Sequence, residues 1–245
     1  MTSEGRKGYV FAPAPVAAVG IEGDERWFPI RRIFCVGRNY EAHAREMGAT
    51  PERGEPPFYF TKSAVHYAPS GATVAYPPGT RNYHYEMELV VAIGAPAHGL
   101  SREQALGCVF GYTCGLDMTR RDLQFAARDK KRPWDVGKDF EDAAVLAPIV
   151  PVSRCGHVRG GRIELRVNGA VRQSSDVGLL IHDVAAVIAD LSHFYHLQPG
   201  DLIFTGTPEG VGPVVPGDQL EGSIEGVGRI ALTIGPPASS SGGDR

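Results

Sequence analysis

The stretch "NYHYEMELVVAIG", residues 82–94, places two glutamates directly before an apolar run that is rich in β-branched residues. A run of this kind that closes at a glycine is typical of a strand buried on at least one face. Because alternate side chains of a strand share a side, Glu86 and Glu88 are predicted to project together, with Tyr85 and Met87 on the other face. Two carboxylates this close are tolerated when water solvates them, when they share a proton or when a cation lies between them.

The composition indicates a globular protein with a substantial core. The chain has 245 residues, of which 42% are hydrophobic and 22% are charged, which suits one large domain or two small ones. The formal net charge is −3 and the basic residues are scattered, so neither nucleic acid nor an anionic membrane is an expected partner. The densest basic run, "RDKKRPWD" at residues 128–135, also contains aspartates and is interpreted as a solvated loop.

The sequence predicts a cytoplasmic protein. No apolar stretch reaches the length of a membrane span, and the first residues lack the apolar core of a secretory signal. The four cysteines show no CxxC spacing, which indicates neither a zinc site nor a disulfide framework.

Short apolar runs between glycine and proline turns outnumber helical patterns, which predicts a β-rich fold. A short helix is predicted in "NYEAHAREMG", residues 39–48, with Asn39 as its N-cap. Residues 168–169, Asn-Gly, are typical of a type I′ hairpin turn, and residues 176–197 carry the spacing of an amphipathic helix.

Between these segments, a capped helix is predicted to begin at Ser101. The run "CVFGYTCGLD", residues 108–117, follows as a buried strand, and a further helix is predicted from Met118.

Asp117 ends that strand and is the candidate third carboxylate of a cation site with Glu86 and Glu88. Hard oxygen ligands at strand ends suit Mg²⁺ or Mn²⁺. In the alternative interpretation, the two glutamates are solvated surface residues and Asp117 only caps the next helix. Spacing alone leaves both interpretations open.

His43 and Glu46 lie three positions apart on the short predicted helix and therefore on one face. A carboxylate that holds an imidazole fixes its tautomer and raises its basicity, which equips the imidazole to take a proton from water. Pairs of this kind are also common on ordinary helix surfaces. His193 and His196 have a possible metal spacing, but we interpret them as part of a helix end.

Five segments, "FCVGRNYEAHAREMG", "HYEMELVVAIG", "GYTCGLDMTRRDLQ", "WDVGKDF" and "GDLIFTGTPEGVGPV", resemble the fumarylacetoacetate hydrolase superfamily in order and spacing, over roughly residues 30–235. The start of the chain, "YVFAPAPVAAVGIEGDERWFPIRRIFCVGRNY" at residues 9–40, further resembles the bacterial fumarylpyruvate hydrolases of gentisate degradation. The resemblance implies an α+β, β-rich fold, a mixed β-roll or sandwich with a few peripheral helices, usually as a homodimer. It divides the chain into a strand-rich extension (1–30), a catalytic domain (31–235) and a disordered tail (236–245).

The resemblance also implies roles for individual residues. Its metal ligands, for Mg²⁺ or Mn²⁺, fall on Glu86, Glu88 and Asp117. Its water-activating dyad falls on His43 and Glu46, and its lysine that supports developing negative charge falls on Lys138. Its substrate-binding positions fall on Arg38, Lys62, Arg121, Gln124 and Thr207. One block departs from the family pattern, because Lys62 is followed by "SAVHYAPSG" where the family usually continues with proline.

The activity that this resemblance implies is metal-dependent hydrolysis of a carbon–carbon bond in an acylpyruvate, as in the cleavage of 3-fumarylpyruvate to fumarate and pyruvate. Oxaloacetate decarboxylation and isomerisation of a related unsaturated 2-oxo acid are alternatives within the family. A non-catalytic module that binds a small 2-oxo acid around a structural cation is the alternative from another class.

Overall fold

Strands outnumber helices in the computed structural model, which describes residues 8–48 and 54–238. The strands are β1 (Ala18–Ile21), β2 (Asp24–Pro29), β3 (Arg32–Gly37), β4 (Phe58–Lys62), β5 (Tyr67–Pro69), β6 (Thr73–Tyr76), β7 (Tyr83–Tyr85), β8 (Met87–Ile93), β9 (Val109–Asp117), β10 (Thr119–Arg120), β11 (Ala144–Leu146), β12 (Val150–Pro151), β13 (Arg162–Val167), β14 (Ala170–Asp176), β15 (Asp201–Phe204), β16 (Gly212–Pro213), β17 (Gln219–Ile224) and β18 (Gly228–Pro237). The helices are α1 (Glu41–Glu46), α2 (Arg102–Ala105), α3 (Arg121–Asp129), α4 (Asp135–Lys138), α5 (Val152–Cys155) and α6 (Val184–Phe194).

Two sheets form the centre of the fold. The larger sheet is mixed, with the order β4-β3-β15-β8-β9-β11-β5 and with β12 beside β9. The smaller sheet has the order β14-β13-β17-β18-β6, and its strands β13, β17 and β18 pack against β8 and β9. This arrangement confirms the predicted β-rich, mixed architecture with a few helices around it.

The alternation predicted for β8 is confirmed. Met87, Leu89 and Val91 belong to the core between the two sheets, whereas Val90 and Ala92 belong to a second core on the opposite face. All seven residues of β8 are buried, because strands on both sides and apolar layers above and below enclose it. A strand in this position must be apolar almost throughout, as the sequence is.

The predicted N-cap of α1 is wrong. Tyr40 occupies the cap position and Asn39, one residue earlier, is fully buried. The Asn39 amide nitrogen donates hydrogen bonds to the carbonyl oxygens of His182 and Thr205, both at 2.8 Å, and its oxygen accepts one from the His182 N–H at 2.7 Å. Asn39 therefore joins the start of α1 to two segments that are remote in sequence.

The helix expected from Met118 begins three residues later. Thr119 and Arg120 form β10, which pairs with β7, so α3 starts at Arg121. Asp117 therefore ends β9 and does not cap a helix.

Several other predicted elements are confirmed. The chain turns between β13 and β14 at Asn168 and Gly169, both with positive φ, and α2 follows Ser101 as predicted. Of the helix predicted over residues 176–197, α6 forms only the part from Val184 to Phe194. β18 extends through Pro237 into the tail predicted at 236–245, whose residues 239–245 lie outside the described residues, as do residues 1–7 of the predicted extension. Within the described part of the chain, no helix is long and apolar enough to cross a membrane.

Replacing Asn39 with alanine should destabilise the fold more than the loss of a helix cap would. The substitution leaves one buried N–H and two carbonyl oxygens without their partner, so we expect the free energy of unfolding to fall by about 2–4 kcal/mol. Urea denaturation measures this change, and Gln219→Ala, at an exposed side chain, should change it by less than about 0.5 kcal/mol. A loss of only about 1 kcal/mol for Asn39→Ala would fit the originally predicted cap instead.

Candidate active site

Glu86, Glu88 and Asp117 meet where β8 begins and β9 ends. Glu86 directly precedes β8, Glu88 is its second residue and Asp117 is the last residue of β9, the antiparallel neighbour of β8. All three residues are buried, and one carboxylate oxygen from each lies within 4.8 Å of the others. Their position excludes the interpretation as solvated surface residues.

Three cationic side chains contact these carboxylates. Lys138 Nζ, from the end of α4, lies 2.7 Å from Glu86 Oε2 and 2.7 Å from Asp117 Oδ2. The Arg121 guanidinium pairs with Glu86 Oε1, and Lys62 Nζ lies 2.8 Å from Asp117 Oδ1. Although burial opposes ionisation, Lys138 and Arg121 hold the pKa of Glu86 well below its usual range, and Asp117 and Glu86 raise the pKa of Lys138.

Within residues 8–48 and 54–238, Glu88 has no ion-pair partner of this kind. Its Oε2 accepts a hydrogen bond from the Gly206 N–H at 2.6 Å, which is the contact that a positive φ of 100° at Gly206 allows. Burial and the neighbouring charges of Asp117 and Glu86 raise the pKa of Glu88 well above its usual range.

The donor set of this cluster fits a hard divalent cation. Asp117 Oδ1 is buried and lacks a hydrogen-bond donor among the described residues, since its contact with Lys62 is an ion pair without hydrogen-bond geometry. A cation held by oxygens of Glu86, Glu88 and Asp117 would relieve the repulsion that Glu88 experiences. Carboxylate oxygens are the ligands that Mg²⁺ and Mn²⁺ prefer.

The predicted dyad is formed on α1. His43 Nδ1 lies 3.1 Å from Glu46 Oε2, and Glu46 Oε1 accepts a hydrogen bond from the Gly210 N–H at 3.1 Å. Burial disfavours the Glu46 carboxylate, but the contacts with His43 and Gly210 outweigh it and lower the pKa of Glu46. A hydrogen bond at Nδ1 of His43 leaves Nε2 for a water molecule or a substrate.

One cavity is lined both by His43 of the dyad and by Glu86 and Glu88 of the acidic cluster, whereas Glu46 and Asp117 do not line it. Of the predicted site residues, the cavity is lined by Arg38, His43, Glu86, Glu88, Arg121, Gln124, Lys138 and Thr207. Its walls also include residues that the sequence had not indicated: Val36, Met47, Phe60, Phe125, Arg128 and Trp134.

The family model "Fumarylacetoacetate (FAA) hydrolase C-terminal" matches residues 32–235. The chain belongs to this family. A fumarylpyruvate hydrolase from Ralstonia sp. is 60% identical over 182 residues, which are 74% of this chain and 94% of that protein. A mitochondrial oxaloacetate tautomerase from Bos taurus is 38% identical over 208 residues, 84% of this chain and 93% of the relative.

A solved structure supports the same family membership. The crystal structure of a fumarylpyruvate hydrolase from Pseudomonas aeruginosa, in complex with Mn²⁺ and pyruvate, superposes with a TM-score of 0.90 at 49% identity, covering 94% of this chain and 100% of that one. Both the predicted family and its predicted fold are therefore confirmed.

Lys62 is buried but does not line the cavity. Its ammonium group contacts Asp117 and the backbone carbonyl oxygens of Met118 and Lys138. Lys62 thus supports Asp117 and Lys138, and its role in substrate binding stays a prediction.

The segment after Lys62, which departs from the family pattern, contacts Asp139 next to Lys138. The Ser63 N–H and His66 Nδ1 contact Asp139 Oδ1 at 2.7 and 2.6 Å. Because Asp139 follows Lys138 directly, these contacts hold the end of α4, where Lys138 reaches the acidic cluster.

Gln173 is a buried residue of this site that the sequence did not indicate, since it lies in the polar run "RQSS" of a hairpin. Its Oε1 accepts a hydrogen bond from the Met87 N–H at 3.0 Å, and its Nε2 donates to Thr207 Oγ1 at 2.9 Å. The Thr207 hydroxyl in turn donates to the Met87 carbonyl oxygen at 2.8 Å. Gln173 thus fixes Thr207 beside the strand that carries the glutamates.

The interpretation of residues 128–135 as a solvated loop is wrong at its two ends. Arg128 belongs to α3, and Trp134 packs with ring centroids 5.4 Å from Phe58 and 5.9 Å from Phe60. Both Arg128 and Trp134 line the cavity.

His84, whose place the sequence left open, lies on β7 beside the site. Its Nε2 contacts Asn82 Oδ1 at 2.8 Å, and Nδ1 is buried without a partner in the described chain. Burial, followed by the charge of Arg121, lowers the pKa of His84 to about 4. The ring is therefore neutral at pH 7.

Replacing Glu88 with glutamine should weaken Mn²⁺ binding while preserving the fold. Loss of one anionic ligand should reduce the affinity at least tenfold, since even outer partners of a metal ligand contribute about tenfold to a hundredfold. Glutamine resembles the protonated glutamate that the raised pKa favours without metal, so thermal stability without metal should be retained. Calorimetric titration with MnCl₂ measures the affinity, and His43→Ala should leave it within about twofold. Equal losses in the two variants would contradict the ligand role of Glu88.

Proposed function

We propose that this chain is a metal-dependent hydrolase that cleaves the carbon–carbon bond of an acylpyruvate, with 3-fumarylpyruvate giving fumarate and pyruvate. One observation carries the proposal: His43, which Glu46 contacts, lines the same cavity as Glu86 and Glu88, and these two glutamates form one buried cluster with Asp117. The similarity to the fumarylpyruvate hydrolases of Ralstonia and Pseudomonas aeruginosa supports the substrate.

Glu86, Glu88 and Asp117 would hold Mg²⁺ or Mn²⁺. When bound, such a cation polarises the 2-oxo group of the substrate and stabilises negative charge on the pyruvate that leaves. The Mn²⁺ and pyruvate in the related Pseudomonas structure support this assignment.

His43 acts as the general base in this proposal. Glu46 holds the Nδ1 side of the ring, so Nε2 takes a proton from a water molecule as the water oxygen bonds to the distal acyl carbonyl. The carbon–carbon bond then breaks, its electron pair stays with the pyruvate fragment, and the proton held by His43 can return to that carbon. Lys138, whose pKa is raised by Asp117 and Glu86 despite burial, supports negative charge that develops nearby.

The charges around the cavity favour an anionic substrate. At formal charges, Lys62, Lys138 and Arg121 balance the three carboxylates, so a divalent cation makes the group net positive. Arg38, Arg121, Gln124 and Thr207 line the cavity and are the proposed substrate contacts. The Thr207 hydroxyl proton is directed at the Met87 carbonyl, so a substrate carboxylate would have to exchange that hydrogen bond.

The family further leads us to expect a cytoplasmic homodimer that acts in gentisate-type aromatic degradation. Light scattering that gave the monomer mass would contradict the dimer.

The second candidate function is a reaction of oxaloacetate, either decarboxylation or isomerisation. The related bovine oxaloacetate tautomerase favours it. These reactions share the 2-oxo acid end of the site but need no water attack on an acyl carbonyl. A non-catalytic module is disfavoured, because His43, two of the proposed metal ligands and Lys138 all line one cavity.

Product analysis with three substrates tests the proposal. Purified protein with Mg²⁺ or Mn²⁺ is assayed with fumarylpyruvate, acetylpyruvate and oxaloacetate, and fumarate, acetate and pyruvate are measured separately. We expect equal amounts of fumarate and pyruvate from fumarylpyruvate and loss of turnover when a chelator removes the metal. Pyruvate from oxaloacetate alone, or accelerated keto–enol isomerisation of oxaloacetate without pyruvate, would support the second candidate. Neither cleavage nor isomerisation of any substrate would support a binding module.

Replacing His43 with alanine should lower kcat for fumarylpyruvate by about 10²–10⁴-fold, the usual contribution of a general base. The matched control is His193→Ala, at an exposed residue near the end of α6 and outside the cavity, which should retain wild-type kcat. Wild-type kcat in His43→Ala would remove His43 from the proposed mechanism.

A further inference from the structure

We infer that Arg128 binds a carboxylate at the acyl end of the substrate and thereby selects acylpyruvates whose acyl group is itself an acid, an inference that rests on the proposed function. Neither the sequence pattern nor the family resemblance assigned a role to this residue. Three features of the described chain lead to it: its position on α3, the state of its guanidinium group and its contact with α1.

The position of Arg128 matches the length of such a substrate. Arg121, Gln124, Phe125 and Arg128 follow the helical spacing of one face, and all four line the cavity. Arg121 contacts Glu86 of the acidic cluster, and seven residues of α-helix from there to Arg128 advance about 10 Å. The two terminal carboxyl carbons of fumarylpyruvate are separated by roughly 7–8 Å in an extended chain. The side chain of Arg128 is long enough to bridge the difference between the helix advance and the length of the substrate.

The guanidinium of Arg128 is available for a carboxylate. Its side chain is 34% exposed, and its present partner Asp129 is 66% exposed. Both Arg128 Nε and Nη2 donate to Asp129 Oδ1 at 3.1 Å, and Nη1 donates to the Met47 carbonyl oxygen at 3.3 Å. Exposed ion pairs of this kind contribute little stability, so a substrate carboxylate can compete with Asp129. Within the described residues, one N–H on each terminal nitrogen also has no acceptor, which suits a bidentate carboxylate.

The surroundings of Arg128 suit a flat, unsaturated acyl chain. Its guanidinium carbon lies 4.4 Å from the centre of the Phe125 ring, and Phe60 and Trp134 supply further aromatic surface to the cavity. Apolar aromatic walls with a few polar groups at the ends are typical of sites that orient a ligand by its charged termini.

The contact with Met47 connects Arg128 to the dyad. Met47 directly follows Glu46 at the end of α1, so a carboxylate held by Arg128 lies beside the helix that carries His43 and Glu46. The acyl carbonyl, a few bonds from that carboxylate, is thereby held between the dyad and the acidic cluster. Arg128 acts through binding and positioning, whereas the reacting atoms contact other groups.

Arg38 is the competing candidate, because it also lines the cavity. Its guanidinium lies 5.7 Å from the centre of the Phe58 ring. It follows β3 at a positive φ of 54° and does not share the helix face that leads away from the acidic cluster. Separate variants of Arg38 and Arg128 distinguish the two.

The experiment compares fumarylpyruvate, which has a carboxylate on its acyl group, with acetylpyruvate, which has none. For Arg128→Gln we expect KM for fumarylpyruvate to rise about tenfold to a hundredfold, the range for loss of a charge-assisted bidentate contact. The value of kcat/KM for acetylpyruvate should stay within about threefold of wild type. Arg128→Lys keeps the charge without the planar fork and should fall between wild type and Arg128→Gln. Asp129→Asn should leave KM for fumarylpyruvate unchanged or lower it.

The matched control is Arg102→Gln, since Arg102 is an exposed arginine that pairs with Asp183 and does not line the cavity; it should behave as wild type with both substrates. An equal loss of both substrates in Arg128→Gln would show a purely structural role and overturn the inference, as would a selective loss in Arg38→Gln alone. If the wild type cleaves neither substrate, the proposed function fails and this inference with it. If the wild type is active and Arg128→Gln keeps full preference for fumarylpyruvate, only the inference fails.

Discussion

The burial of three carboxylates at the junction of β8 and β9 is the constraint on which this structure depends. A carboxylate removed from water is costly unless it is paired or hydrogen-bonded. Lys138 and Arg121 bring positive charge to Glu86, and Lys62 brings it to Asp117. Among the described residues, Glu88 receives a backbone N–H from Gly206 and the charge of nearby Lys138, but burial and the repulsion of Asp117 and Glu86 outweigh both and raise its pKa. Among the described residues, cationic side chains pair with Glu86 and Asp117 but not with Glu88. A buried carboxylate without an ion-pair partner favours the binding of a divalent cation.

Close approach between backbones makes the cationic half of this arrangement possible. A Cβ atom at Gly137 would lie 2.7 Å from the backbone nitrogen of Gln124, so only glycine lets α4 pack against α3 at this point. That contact places Lys138, at the end of α4, beside Arg121, at the start of α3. At Gly206, a Cβ atom would lie 2.7 Å from the Asn39 side chain, and the residue's positive φ directs its N–H toward Glu88. Gly137 and Gly206 thus let Lys138 and a backbone N–H reach the acidic cluster.

Local patterns predicted those parts of the site that depend on neighbouring residues. Strand periodicity predicted that Glu86 and Glu88 share a face, and helical spacing predicted the same for His43 and Glu46, because the members of each pair are close in sequence. The contacts of Asn39 and Gln173 could not be predicted because their partners are remote in the sequence. Asn39 contacts His182 and Thr205, and Gln173 contacts the Met87 backbone and Thr207. The packing of Trp134 against Phe58 and Phe60 could not be predicted for the same reason, since these partners are remote in the sequence.

The two ends of the cavity are built from different parts of the fold. The acidic end lies on β8 and β9 inside the central sheet, where neighbouring strands and two apolar cores fix every side chain. The other end is formed by α1 and α3, whose outer residues are partly exposed and joined by few contacts, such as that from Arg128 to Met47. Substitution on a helix surface disturbs packing less than substitution in a central strand. In the proposed mechanism, the central sheet therefore supplies charge stabilisation at the 2-oxo acid end, and α1 and α3 supply the general base and the contacts with the acyl group.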